Sequence, residues 1–222
     1  MRVLYHLWQS PQCRMVRLVL AEKGLEFEAR VEKIWDRRDE FLALSPGGDV
    51  PVLAEPDGTT LTDALVICEY LEEVHPRVNL LGDEPLQRAE TRRLTTWFHE
   101  RFDREVTANL VGEKITKRML RSGTPHSDAI RAGHANIHYH LDYIGFLMER
   151  RNWLAGERFS LADIAAAAQL SCVDYLGDVP WEAHPEAKDW YARVKSRPSF
   201  RPLLADHIPG TTAPAHYADL DF

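Results

Sequence analysis

Cysteine is scarce in this sequence, and its three cysteines form no recognisable pair. Cys13, Cys68 and Cys172 lie far apart, without the spacing of a disulfide framework or a zinc site. Scattered thiols of this kind are typical of proteins from a reducing compartment. Residues 1–3 also run directly into a strand pattern with no signal peptide, so we expect a cytoplasmic location.

Long apolar runs and an excess of positive charge are also missing. No stretch approaches the roughly 18 apolar residues that a membrane-spanning helix needs. The formal net charge is −7, which disfavours nucleic acid as a partner because phosphates would be repelled. We therefore expect neither membrane insertion nor nucleic-acid binding. With 45% hydrophobic residues and six tryptophans, the 222-residue chain can instead bury a substantial core.

The hydrophobic pattern changes character near residue 76. Residues 1–76 alternate between strand and helix periods in the order β-α-β, an irregular piece, then β-β-α, which predicts an α/β layer. Residues 77–84 have no period and are typical of a linker. Residues 85–205 carry helical spacing only, which predicts an all-α domain. The pattern is lost again over residues 206–222, which we interpret as an extended C-terminal tail.

The turn at Ser10-Pro11 is the first candidate site. A strand ends there and a helix pattern begins, so Ser10 is a candidate helix cap and Cys13 falls in the first turn. Such a turn directs backbone N–H groups and the positive end of a helix dipole at one point. Either side chain could face an anionic group or act in nucleophilic chemistry.

A second candidate is Val50-Pro51, which opens an apolar strand. A proline at this place is a candidate for a cis peptide bond. The main chain of Val50 would then be free to pair with a peptide-like ligand as an added strand would. The alternative is an ordinary trans proline at a sheet edge.

The segment Ser160-Leu161-Ala162-Asp163 has the pattern of a helix capping box. A cap of this kind contributes about 1 kcal/mol, so its role is structural. The helix that follows is rich in alanine, which suits the middle of a bundle.

His134, His138 and Asp142 recur every four residues and would share one helix face. This spacing can bind a metal. Because no glutamate base and no further ligand cluster accompany them, we interpret them as surface or core side chains and predict no metal site.

Two groups of side chains are candidates for contact with a protein partner. One is the predicted exposed Trp35 with Arg37 and Arg38. The other is the basic cluster of Lys114, Lys117 and Arg118 near a helix end. This cluster either stabilises the helix dipole or receives an acidic partner.

The tail is the third candidate for partner contact. It ends in aromatic and aliphatic residues between acids, among them Asp219, Asp221 and Phe222. A frayed terminus has no reason to carry such residues, so a packed or docking segment is favoured.

Several motifs in order resemble the cytosolic glutathione transferases over residues 1–205. The first part matches in Ser10-Pro11, in Val50-Pro51-Val52-Leu53 and in Leu61-Thr62-Asp63. The second part matches in Trp153-Leu154-Ala155-Gly156 and in the capping box. This resemblance implies the glutathione transferase fold, a thioredoxin-like N-terminal domain followed by a C-terminal helical bundle.

The resemblance also implies a glutathione site. Ser10 resembles the residue that hydrogen-bonds the glutathione sulfur, Val50 before Pro51 the backbone clamp, and Asp63 the acid at the γ-glutamyl end. Ala64 stands where the family carries Ser or Thr, and a lost charge-assisted hydrogen bond costs about 1.5–3 kcal/mol, or roughly ten- to a hundredfold in affinity. Asp49 adds a negative charge. We therefore expect no bound cofactor, or glutathione only weakly.

A narrower resemblance is to the FtsZ-binding cell-division proteins of alphaproteobacteria that share this fold. It is carried by Leu176-Gly177-Asp178-Val179-Pro180-Trp181, by Asp189-Trp190-Tyr191 and by the tail. It implies a non-catalytic homodimer that binds FtsZ filaments and regulates constriction at the division site. The alternative is an active glutathione transferase that uses Ser10, or less favourably Cys13, against small electrophiles.

Overall fold

The computed structural model describes residues 1–220, and its first part is built on a four-stranded sheet. The strands are β1 (Arg2–His6), β2 (Phe27–Val31), β3 (Val52–Ala54) and β4 (Thr60–Thr62). Their order is β2-β1-β3-β4, with β1 parallel to β2 and antiparallel to β3. Strand β3 begins two residues after the predicted Val50, because Pro51 has no N–H to give to the sheet.

Three helices accompany the sheet. They are α1 (Pro11–Glu22), α2 (Asp39–Leu44) and α3 (Ala64–Val74). Helices α1 and α3 pack together, and Leu4, Val16 and Ile67 lie in the core they share with the sheet. The predicted thioredoxin-like domain is thereby confirmed.

The second part is helical, as predicted. A continuous helical rod is made of α4 (Pro85–Thr96), a π-helical segment (Trp97–Thr116) and α5 (Lys117–Leu120). Helix α6 (Ser127–Met148) packs antiparallel against the rod. A Cβ atom on Gly133 would lie 2.8 Å from Leu110 Cγ, so glycine permits this close approach. No helix among residues 1–220 has the length and apolarity to cross a membrane.

Helix α7 (Leu161–Asp174) is the centre of the molecule, and every one of its residues is buried. It touches both α1 and the π-helical segment and so joins the two parts. The predicted capping box is present: Asp163 accepts hydrogen bonds from the Ser160 N–H at 3.0 Å and from Trp190 Nε1 at 2.9 Å. Two more helices, α8 (Pro185–Lys195) and α9 (Arg201–Leu204), complete the bundle.

The tail packs back on the body of the protein along residues 206–220. Ile208 and Tyr217 are buried, the latter on a short 3-10 turn (Ala215–Tyr217). Arg14 Nη1 donates to the Tyr217 hydroxyl at 3.0 Å, and Lys195 Nζ donates to the main-chain oxygen of His216 at 3.1 Å. The described part of the tail is therefore anchored to the core through Ile208 and Tyr217.

Candidate functional site

The turn between β1 and α1 has the predicted geometry. Ser10 caps α1, and its Oγ accepts a hydrogen bond from the Cys13 N–H at 3.2 Å. The same hydroxyl donates to Gln12 Oε1 at 3.1 Å. The one hydrogen of Ser10 Oγ, which would have to face a bound thiolate, is therefore already given to a neighbour.

Gln12 extends this contact into the helical domain. Its Nε2 donates to Asp103 Oδ1 at 3.1 Å, and Gln169 Nε2 reaches the same oxygen at 3.3 Å. Thr107 in turn donates to Gln169 Oε1 at 2.6 Å. Gln12, Asp103 and Thr107 were not predicted from the sequence as site residues. The spacing of four between Asp103 and Thr107 was the available signal, since it places both on one helix face.

Cys13 does not face the site. Its side chain is fully buried, and burial raises the pKa of the thiol to about 11, although the Ser10 side chain counteracts the shift. The expectation that Cys13 could serve as a ligand-facing or nucleophilic group is wrong, because loss of hydration outweighs the helix N-terminus.

The Val50–Pro51 peptide bond is cis, as predicted. Within residues 1–220, the N–H and C=O of Val50 have no hydrogen-bond partner. Val50 and Ser10 line one interdomain cavity of about 230 Å³. Its other lining residues are Leu7, Gln9, Pro11, Gln12, Ile34, Asp49, Asp103, Thr107, Ala108, Val111, Gly112 and Thr116.

Asp63 lies outside the lining of this cavity. Its Oδ1 caps α3 by accepting from the N–H groups of Leu65 at 2.8 Å and Val66 at 3.2 Å. The adjacent Ala64 is buried. The structure thus brings Ser10 and Val50 together with Asp49, while the assignment of Asp63 to a glutathione site stays a prediction.

The surface candidates near α2 differ among themselves. Trp35 is half-buried, so the expectation that it is exposed is wrong. Arg38 is held by Glu32, with Nη2 and Oε2 2.6 Å apart. Arg37 is exposed and lies beside Gly48, the residue before Asp49.

The basic cluster serves internal contacts. Lys114 Nζ lies 2.6 Å from Asp178 Oδ2, and Lys117 Nζ lies 2.7 Å from Glu113 Oε2. Arg118 donates to the main-chain oxygens of Pro209 and Gly210 and to Thr211 Oγ1. All three contacts are below 3 Å. This arrangement anchors the tail, and the predicted acidic partner stays a prediction.

The remaining candidates are in the tail and on α6. Asp219 is exposed, while Asp221 and Phe222 lie outside the described residues.

His138 Nδ1 lies 2.8 Å from His184 Nε2, whose ring also contacts Asp142. Among residues 1–220, no three side chains are placed to hold a metal ion.

Two family models match the sequence. The glutathione S-transferase N-terminal domain matches residues 9–74, and the glutathione S-transferase C-terminal domain matches residues 138–198. The chain belongs to the glutathione S-transferase family. Across the whole chain it is similar to FtsZ-localized protein A of Caulobacter vibrioides, with 47% identity over 224 residues, covering 100% of this chain and 98% of that protein.

Further members of the transferase family are similar over nearly the whole chain. A maleylacetoacetate isomerase of Pseudomonas aeruginosa is 30% identical, covering 95% of this chain and 99% of that protein. Among solved structures, a glutathione S-transferase from Rhodospirillum rubrum F11 superposes with a TM-score of 0.98 and 58% identity, covering both chains completely. FzlA from C. crescentus superposes with a TM-score of 0.96 and 47% identity, covering 100% and 99%.

Proposed function

We propose that this transferase-family chain is a non-catalytic protein that binds FtsZ filaments and regulates constriction at the division site. The observation that carries the proposal is the full-length similarity to FtsZ-localized protein A. By its name that relative is localised with FtsZ. The geometry of the interdomain cavity supports the non-catalytic part.

The cavity is poorly suited to glutathione. The tripeptide is anionic, whereas Asp49 and Asp103 line the cavity and none of the lining residues is basic. The hydroxyl of Ser10 must also leave Gln12 before it can donate to a thiolate. Both features weaken ground-state binding, and the second removes a preorganised donor that thiolate stabilisation would need.

We further propose a homodimer, because apolar side chains are exposed on adjacent helices. Tyr139 and Phe146 on α6 are 55% and 51% exposed, and Val66 on α3 is 53% exposed. The three helices α3, α4 and α6 are joined by polar contacts, including Arg93 Nη2 to the Tyr143 hydroxyl at 2.9 Å. A two-fold pair would cover this face and present each filament-binding surface twice.

Co-sedimentation with polymerised FtsZ tests the association. We expect the protein to pellet with polymer above a protein-only control. Arg37→Glu should reduce pelleting if this side chain contacts FtsZ, because Arg37 is exposed and forms no ion pair within residues 1–220. Arg77→Glu is the matched control, since Arg77 is also exposed and forms no ion pair in that range. No pelleting of the wild-type protein would refute the proposal.

Charge reversal in the tail tests whether the tail contacts FtsZ, and light scattering tests the homodimer. Asp219→Lys should alter FtsZ pelleting if the tail contributes to the contact, whereas Asp57→Lys, in an exposed hairpin turn, should not.

In size-exclusion chromatography with light scattering, Tyr139→Glu should convert a dimer to a monomer. A wild-type monomer at micromolar concentration would exclude the dimer.

An active glutathione transferase is the second candidate, favoured by the cis Val50–Pro51 peptide and the unpaired main chain of Val50. Calorimetry with glutathione distinguishes the active transferase from the non-catalytic FtsZ-binding protein. We expect no micromolar binding. Micromolar binding that Ser10→Ala abolishes would instead favour the enzyme.

A further inference from the structure

Strand β2 forms one edge of the four-stranded sheet, because the strand order is β2-β1-β3-β4. The strand is exposed from Ala29 to Val31, so no segment among residues 1–220 covers this part of the edge. An uncovered edge strand presents N–H and C=O groups with which a further strand can pair. The free edge of β2 is therefore a candidate interaction surface.

The main-chain groups of β2 alternate between its two sides. Just past the strand, the Glu32 N–H donates to the His6 oxygen of β1 at 3.0 Å. Residues an odd number of positions away point their main-chain groups to the opposite side, so those of Phe27, Ala29 and Val31 face outward. In the described part of the chain no other strand lies beside these groups. Each of the three residues thus offers one donor and one acceptor.

The sequence of β2 is self-complementary when a second copy pairs with it antiparallel about Ala29. Ala29 then lies opposite Ala29 of the second copy, and Phe27 lies opposite Val31. These are the residues whose main-chain groups face outward, so all of them fall at hydrogen-bonded positions of the antiparallel ladder. Val31, which is 46% exposed, would be covered by Phe27 of the second copy.

The charges on this edge select the same register. Glu28 and Arg30 form an exposed ion pair within one chain, with Oε1 and Nε 2.6 Å apart. About Ala29, each of them faces the opposite charge of the second copy, which joins the ion pairs of both copies in one network. A register moved by two residues would set Glu28 against Glu28 or Arg30 against Arg30. Charge complementarity therefore favours a second copy of this chain as the added strand.

We propose that the free edge of β2 is a self-association surface, on which a second copy adds antiparallel and joins the two sheets into one. The flank of the strand permits this, because Glu32, which would face Glu26, is already paired with Arg38 at 2.6 Å. The surface is separate from the face of α3 and α6 proposed for the homodimer, so either contact can form without the other. A five-residue edge gives a weak contact, which becomes effective where copies are held close together.

Analytical ultracentrifugation of the full-length protein from micromolar to millimolar concentration tests the proposal. We expect the mass to rise with concentration in the wild type and also in Tyr139→Glu, which disrupts the helical face. The second result distinguishes the β2 contact from the homodimer. Amide hydrogen exchange of Ala29 and Val31 should slow at high concentration, whereas that of Arg30, whose N–H already faces β1, should not change.

Three variants locate the contact. Ala29→Pro removes an outward N–H without removing a bond to β1, so it should abolish the association. Arg30→Glu sets like charges against each other and should weaken the association about tenfold. Combining it with Glu28→Arg should restore the association. Arg158→Glu is the matched control, since Arg158 also forms an exposed ion pair, and it should change nothing.

A wild-type mass that does not rise with concentration overturns the proposal. An association that both Ala29→Pro and Arg30→Glu leave unchanged overturns it as well. The same holds if the wild type does not self-associate and Ala29→Pro lowers FtsZ pelleting, because that result assigns the edge to a different chain.

Discussion

Arg17 and Asp206 form a bidentate ion pair that joins the first helix to the tail. Nη1 lies 2.6 Å from Oδ2 and Nη2 lies 2.8 Å from Oδ1, with both side chains buried. Arg14 Nη2 lies 3.7 Å from the same carboxylate and is fully buried. One buried aspartate therefore lies against two arginines, of which Arg17 makes the closer contact.

Replacing Asp206 should strongly destabilise the protein. Asp206→Asn leaves two buried guanidinium groups without a counter-charge, and breaking such a pair costs about 3–5 kcal/mol. The free energy of unfolding from urea titration measures the loss. Asp36→Asn on the exposed surface should change it by less than about 0.5 kcal/mol. A similar small effect for Asp206→Asn would contradict the assigned role.

Stability should fall in mild acid because of His6. Burial, aided by the charge of Arg17, lowers the pKa of His6 to about 4. Between about pH 6.5 and pH 4 the unfolded chain binds the proton and the folded chain does not, so stability declines as pH falls. The effect at pH 4.5 is on the order of 2–3 kcal/mol.

His6→Phe isolates that contribution. Neither ring nitrogen of His6 has a hydrogen-bond partner within residues 1–220, and the ring packs edge-on against Trp8, with centroids 4.3 Å apart. Phenylalanine can fill this space. Urea unfolding at pH 7.5 and 4.5 should show a smaller acid loss for the variant than for the wild type, and equal losses would count against a neutral His6.

The two residues of the capping box should contribute differently to the free energy of unfolding. Ser160→Ala removes a cap and should destabilise by about 1 kcal/mol. Asp163→Asn should cost more, roughly 3 kcal/mol, because the Leu154 N–H, the Trp190 Nε1–H and the Ser160 N–H all donate to it. An amide NH₂ would face these donors. Thermal unfolding should show a lower melting temperature for Asp163→Asn than for Ser160→Ala. The reverse order would refute this explanation.

Glutathione affinity should rise when the cavity charge is reversed. Asp49→Lys replaces a repulsive charge with an attractive one, so calorimetry should detect glutathione binding at least tenfold tighter than in the wild type. Ala64→Ser alone should have little effect, because Ala64, the first residue of α3, is buried. This differs from the roughly ten- to hundredfold loss that the missing hydroxyl suggested from the sequence. If Ala64→Ser restores binding and Asp49→Lys does not, the electrostatic explanation fails.

Local signals explain why much of the fold could be predicted from the sequence. The cap at Ser10, the cis Pro51 and the box at Ser160 and Asp163 each depend on residues within a few positions of one another. Strand β2 and the helices follow from the period of their apolar residues. These features were confirmed with small shifts at element ends.

The candidate site was harder because its residues meet only after folding. The Gln12–Asp103 contact spans 91 residues and the Arg17–Asp206 pair spans 189, so neither leaves a local pattern. Charge alone could not tell that Arg118 holds the main chain of the tail. Cys13 is kept from the site by its burial, and that burial depends on the domain packed against it.

The position of Asp206 matters for how the protein is made. Residues 206–217 follow both domains in the sequence, so they leave the ribosome after the two domains have been synthesised. Until then, Arg14 and Arg17 lack the one carboxylate that lies against both of them in the folded molecule. We expect a chain that terminates before this point to be less stable than the full chain, because it would hold two buried positive charges between its domains without Asp206.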